Sequence, residues 1–222
     1  MKLGNENKKH EDKPREIPPA GSHLGYLYRI VDAGWCESEF KGEKKMRTEG
    51  RLEFEIWPQD KSGQWITMAD GRPFSVAPGF QGWLTFKKMG EVLISWRGSS
   101  TADSESILGQ PALVTIVHKP YMSKRTGKQE IAVDVTSITP VPEILLHTVK
   151  MPDMANPPMV YSVREHDLAL FEKLPKWIQK HIIEKSDDWA KLPLAVKPRP
   201  TESDDPGPTH PSGAYIDEDL PF

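Results

Sequence analysis

Leu84-Thr85-Phe86-Lys87-Lys88-Met89-Gly90-Glu91-Val92-Leu93-Ile94-Ser95-Trp96-Arg97 changes the period between alternating stretches on either side. Leu84, Lys87, Lys88, Val92 and Trp96 fall at helical steps, so the stretch predicts a helix in which Gly90 is the weak point. N-terminal to it, Leu24, Tyr26, Tyr28 and Ile30 alternate with Gly25, Leu27 and Arg29, a strand that Gly34 is expected to end. Phe40 to Arg51 reads as a charged connection into a second strand, with Leu52, Phe54 and Ile56 on one face and Arg51, Glu53, Glu55 and Trp57 on the other. Pro58 and Asp60-Lys61-Ser62-Gly63 close that strand, and a third is expected between Gly71 and Pro78. C-terminal to the helix, Ala112 to His118 and Gln129 to Thr139 are β-rich runs joined by the basic loop Lys119 to Lys128, with its turn at Thr126-Gly127.

The order is β-β-β-α-β-β. Five strands with a helix between the third and fourth is the order of the OB-fold, a five-stranded, partly open Greek-key barrel, so the chain is expected to be mainly β. Residues 1–20 read as a flexible arm, 21–142 as the barrel, 143–192 as a connection and helical extension, and 193–222 as a disordered tail. In the extension Leu168, Phe171, Leu174, Ile178, Ile182 and Ile183 sit at helical steps, and Pro175 either starts a second helix or kinks the first. Helices this short must pack on the barrel or on a second copy of the chain, so a homo-oligomer stays open.

Charge placement sharpens the functional reading. The net charge is −3, but residues 201–222 carry six acidic and no basic side chains, leaving a body of +3. The single cysteine, Cys36, excludes a disulfide-stapled domain and is expected to be structural or incidental. No apolar run opens the chain, and the uncharged stretch Phe74 to Phe86 is too short for a membrane span, which predicts a soluble, cytoplasmic protein without a membrane partner. No two of the seven histidines stand at a metal-ligand spacing, and no nucleophile–base pair, paired carboxylates or phosphate loop emerges. The expectation is therefore no enzyme, no catalytic residue, no cofactor and no metal.

Two connections carry the nucleic-acid reading. In an OB-fold the loops joining strands one to two and four to five flank the ligand face. The first holds Trp35, Phe40, Lys41, Lys44, Lys45 and Arg47; the second holds Lys119, Tyr121, Lys124, Arg125 and Lys128. Cations suit the phosphates and aromatic rings suit the bases of a single strand. Trp57 and Arg51 join the candidates from the face opposite Leu52, Phe54 and Ile56, and Trp65 from a turn. Tyr26, Tyr28, Phe54, Trp83 and Trp96 are assigned to the core.

The segment Tyr215-Ile216-Asp217-Glu218-Asp219-Leu220-Pro221-Phe222 mixes acids with Leu220 and a terminal Phe222. A solvating tail has no use for those apolar residues, whereas a docking peptide does: Phe222 fills a pocket while Asp217, Glu218 and Asp219 meet a basic rim. Asp217 to Phe222 resembles the acidic tip of bacterial single-stranded DNA-binding proteins. The middle of the chain is similar to a bacteriophage or prophage family of OB-fold single-stranded DNA-binding proteins. The similarity lies in Pro18-Pro19-Ala20-Gly21-Ser22-His23, Asp70-Gly71-Arg72-Pro73-Phe74, Ser95-Trp96-Arg97-Gly98, Leu108-Gly109-Gln110-Pro111 with Val114 to His118, Ile138-Thr139-Pro140-Val141-Pro142, and Phe171 to Gln179. It implies a protein that coats single-stranded DNA during phage replication, recombination and repair in the host cytoplasm. It also implies that Asp217, Glu218, Asp219, Leu220, Pro221 and Phe222 recruit a polymerase, helicase, nuclease or recombinase. The long Gly/Gln-rich linker of the bacterial proteins is missing here. The alternative is an OB-fold adaptor that binds protein within a replication complex.

Overall fold

A computed structural model describes residues 16–40, 43–100, 103–123 and 127–193. Its strands are β1 (Gly21–Phe40), β2 (Glu43–Trp57), β3 (Phe74–Val76), β4 (Leu84–Thr85), β5 (Pro111–Met122), β6 (Gln129–Thr139) and β7 (Met159–Ser162). Its helices are α1 (Phe86–Arg97), α2 (Ser104–Ile107), α3 (Glu143–Thr148), α4 (Leu168–Lys173), α5 (Lys176–Lys185) and α6 (Asp187–Lys191). The strands form one open, largely antiparallel sheet of order β3-β2-β1-β5-β6, with β4 beside β2 and β7 parallel to β1. Among the described residues β3 and β6 are the unpaired edges, so the sheet is not a closed barrel.

Gly34 does not end β1. It adopts φ 71° and sits where the β1–β2 register slips between Asp32 and Gly34, and a second slip lies between Leu27 and Arg29. An extra residue at each point kinks the strand without breaking the ladder. The charged connection expected from Phe40 to Arg51 is likewise strand from Glu43 onward. β1 and β2 thus form a long ribbon whose register runs to Phe40↔Glu43.

Each sheet face has its own core. On the first, Leu27, Ile30, Leu52, Phe54, Ile56, Val114, Ile116 and Ile138 meet Leu93 and Trp96 of α1. The helix is capped by the Thr85 hydroxyl, which accepts the Lys88 amide, and ends at Gly98, whose φ of 75° suits a residue without Cβ. On the second face, Val31, Ala33 and Cys36 are covered by Tyr161, Val163, Phe171, Ile178, Ile182 and Trp189. The helical extension therefore buries its apolar side on this chain's own sheet. Pro175 stands at the N-cap of α5, so it starts a new helix. The connection 143–162 contains α3 and β7, which its composition did not announce. No helix among the described residues is long and apolar enough to cross a membrane.

Candidate nucleic-acid interface

β2 is buried on both faces, and this decides the fate of two candidates. Its outward row, Glu49, Arg51, Glu53, Glu55 and Trp57, is covered rather than solvated. Arg51 is 4% exposed; it donates to Glu53 at 2.6 Å and to the Gln81 carbonyl at 3.1 Å, and its guanidinium lies 4.4 Å from the Trp177 ring centre. Glu53 also receives Arg29 at 2.6 Å and the Tyr28 hydroxyl at 3.1 Å. Trp57 is 9% exposed and donates to Glu55 at 3.3 Å. Glu55 in turn accepts the Ala155 and Asn156 amides at 2.9 and 2.8 Å and the Asn156 side chain at 2.8 Å. Strand alternation assigned Arg51 and Trp57 to a free ligand face. The chain's own C-terminal extension occupies that face, so both residues are structural.

The remaining candidates fall on two arms. The last β1–β5 pair is Gly21↔Ile116, and the β5–β6 ladder continues to Met122↔Gln129. The β5–β6 tip therefore projects beyond the N-terminal end of β1, and the β1–β2 tip lies at its C-terminal end. The two basic segments are not brought into one cluster; they stand at opposite ends of the same strand.

On the β1–β2 arm, Trp35 is 46% exposed and shares a sheet face with Thr48 and, two pairs on, Met46. Lys44 pairs with Glu37 and Lys45 with Glu43, both at 2.8 Å between exposed side chains. Such pairs are worth at most about 1 kcal/mol each, so a phosphate competes easily for these lysines. Arg47 differs, because it holds buried Glu49 at 2.7 Å. Burial pushes the Glu49 carboxyl up, but hydrogen bonds from His181 and Arg47 outweigh it and hold the group below its ordinary value. Phe40 ends β1, and Lys41 lies outside the described residues.

On the β5–β6 arm, Lys119 pairs with Asp134 at 2.6 Å and the Tyr121 hydroxyl donates to Glu130 at 2.9 Å. Lys128 is exposed, while Lys124 and Arg125 lie outside the described residues. Residues 118–130 hold four cations and one acid. Trp65 is half-buried in the turn after β2, bridged to Gln59. Asp217, Glu218, Asp219, Leu220, Pro221 and Phe222 lie outside the described residues.

The chain matches no protein-family model, no curated protein and no solved structure. Its arms must be read from their own chemistry. Sequence reasoning missed exposed Met46, Met122 and Ile131, which lie where the two ribbons outrun the core. Alternation alone reads such residues as inward-facing; only the lengths of the neighbouring strands show that no described residue covers them. Of the core assignments, Tyr28, Phe54, Trp83 and Trp96 are buried and Tyr26 is half-buried.

Proposed function

We propose that this chain binds single-stranded DNA on an OB-type sheet. The carrying observation is connectivity: strand order β3-β2-β1-β5-β6, with α1 between the third and fourth long-sheet strands, and arms made from the two connections that embrace a strand in OB-folds. Trp35 offers an exposed ring beside exchangeable Lys44 and Lys45, and the segment 118–130 contributes a net charge of +3. The strand would run between the arms, phosphates on the lysines and a base on Trp35. In the same reading, the coated DNA serves phage-type replication, recombination and repair, and the acidic segment 217–222 recruits the enzymes of those processes.

Quenching of tryptophan fluorescence by oligo-dT at low salt, with duplex as control, tests this. Oligo-dT is expected to quench and duplex to do so far less, and Trp35→Ala is expected to cost about 1–3 kcal/mol of affinity. Trp57→Phe, on the covered face, is expected to leave affinity unchanged. Absence of binding at low salt would overturn the reading. A protein-binding adaptor is favoured instead by the ion pairing of Lys44, Lys45 and Arg47 with arm carboxylates and by exposed Met122 and Ile131; it predicts no response to oligo-dT.

A further inference from the structure

The fold brings together three side chains that no local spacing connects. Cys36 lies on β1, Glu49 on β2 and His181 on α5, and the Cys36 sulfur, a Glu49 oxygen and a His181 ring nitrogen all lie within 4.8 Å of one another. Cys36 is 0% and Glu49 3% exposed, while His181 is half-buried and gives the site its approach from solvent. We propose that Cys36, Glu49 and His181 form a binding site for a zinc-class divalent cation that ties the helical layer to the β1–β2 ribbon.

The donor set argues for this chemistry. A thiolate, an imidazole and a carboxylate suit zinc, whereas magnesium and calcium favour all-oxygen shells. The two anionic ligands balance the charge of a divalent ion. Zinc bonds of about 2.0–2.3 Å place tetrahedral ligand atoms roughly 3.3–3.7 Å apart, so the Glu49–His181 pair, at 2.9 Å, opens slightly and the Cys36 sulfur moves in by at most about 1 Å. The ligands are also held from behind. Arg47 grips Oε1 of Glu49, leaving Oε2 toward His181 Nε2 at 2.9 Å. Trp83 stacks on the His181 ring at 4.0 Å and 12°. Among the described residues the Cys36 thiol donates to the Ala33 carbonyl alone, at 3.5 Å, a weak bond that a metal readily replaces. Such outer contacts orient metal ligands in known sites.

Binding proceeds with a balanced exchange. The cation replaces the thiol proton of Cys36, which leaves to solvent, while a neutral His181 ring exchanges its Nε2 proton for one on Nδ1 through solvent; one proton is released per ion, and the Glu49–His181 hydrogen bond gives way to two metal bonds. A water completes the fourth position on the His181 side.

Cobalt(II) is the probe, because thiolate ligation produces a sulfur-to-metal charge-transfer band. Cys36 is the only cysteine in the chain, so the band reports that residue alone. The untagged full chain, stripped by chelator, is titrated with Co(II) and then Zn(II). The expected result is a band that saturates at one equivalent, is displaced by Zn(II), is ignored by Mg(II), and accompanies a rise in melting temperature. Cys36→Ser abolishes the band, and His181→Gln and Glu49→Gln each weaken binding by at least about tenfold. His181→Gln lies on a partly exposed helix position and decides the matter if Cys36→Ser fails to fold. No charge-transfer band in the wild-type chain, or a band with unchanged affinity in both His181→Gln and Glu49→Gln, overturns the site. Neither outcome depends on whether the chain binds DNA.

Discussion

Glu55 has 0% exposure, and the groups that reach its carboxylate are N–H donors from Trp57, Ala155 and Asn156. Hydrogen bonds to an ionised acceptor are the strong class, and a buried donor left unmatched costs its full desolvation. Glu55→Gln turns one acceptor into a donor facing donors. The expected loss is about 2–3 kcal/mol, read as a lower urea midpoint with an unchanged slope; a shift below about 0.5 kcal/mol would show that the connection 149–158 is not held there. Glu53 supplies a pH dependence. Burial raises its carboxyl, but Arg51 and Arg29 outweigh burial and hold it below the ordinary value. The folded protein therefore binds that proton less readily than the unfolded chain. Its stabilisation is complete above the unfolded value of about 4.3 and is lost as pH falls through the lower folded value. Urea midpoints are expected to fall below about pH 4, and Glu53→Gln is expected to flatten that fall even though it lowers stability at neutral pH. An equal slope in the variant would place the acid sensitivity elsewhere.

At the scale of elements, α1 was legible from the helical steps of Leu84, Lys87, Lys88, Val92 and Trp96, and the structure sets its ends at the Thr85 and Gly98 caps. β6 was legible for a related reason: Gln129 to Thr139 is bounded by a turn and by Pro140. What failed were inferences about what covers a strand. Alternation in β2 separates Leu52, Phe54 and Ile56 from Glu53, Glu55 and Trp57, but both rows are buried, and Glu55 is held by residues about a hundred positions away. Gly34 reads as a stop because isolated glycine often is one, whereas here it supplies a bulge. The Cys36–Glu49–His181 triad was invisible since its members come from three elements. The β5–β6 arm carries the element-scale prediction. Lys124→Gln, Arg125→Gln and Lys128→Gln together remove three cations, and single-strand binding loses about 0.7 of salt slope per phosphate contact. The plot of log affinity against log salt is expected to flatten by about 2 with the fold retained by circular dichroism. An unchanged slope would take this arm off the DNA path.

For the whole molecule, the placement of charge matters more than the sum. Residues 201–222 carry six acids and no base, against a body of +3 in which residues 118–130 alone sum to +3. On the proposed function, a tethered polyanion of this kind would meet the basic arm at an effective concentration in the millimolar range, enough to compete weakly with DNA. On the same proposal, single-stranded DNA, with its denser negative charge and bases for Trp35, would displace the acids and free Leu220 and Phe222 to dock on a partner. Deletion of residues 214–222 removes half of that acidic charge. DNA affinity is expected to hold or to rise a few-fold at low salt, and the difference is expected to vanish near 1 M salt, where screening confines charges to about 3 Å. Pull-down of replication or recombination enzymes, present with the full chain, is expected to disappear with the deletion. Full-chain and truncated proteins are compared in the same oligo-dT titration, so that partner loss with intact DNA binding separates recruitment from coating. A large loss of DNA affinity on deletion would mean that the segment belongs to the DNA site, and competition between tail and strand would be the wrong account of the charge split.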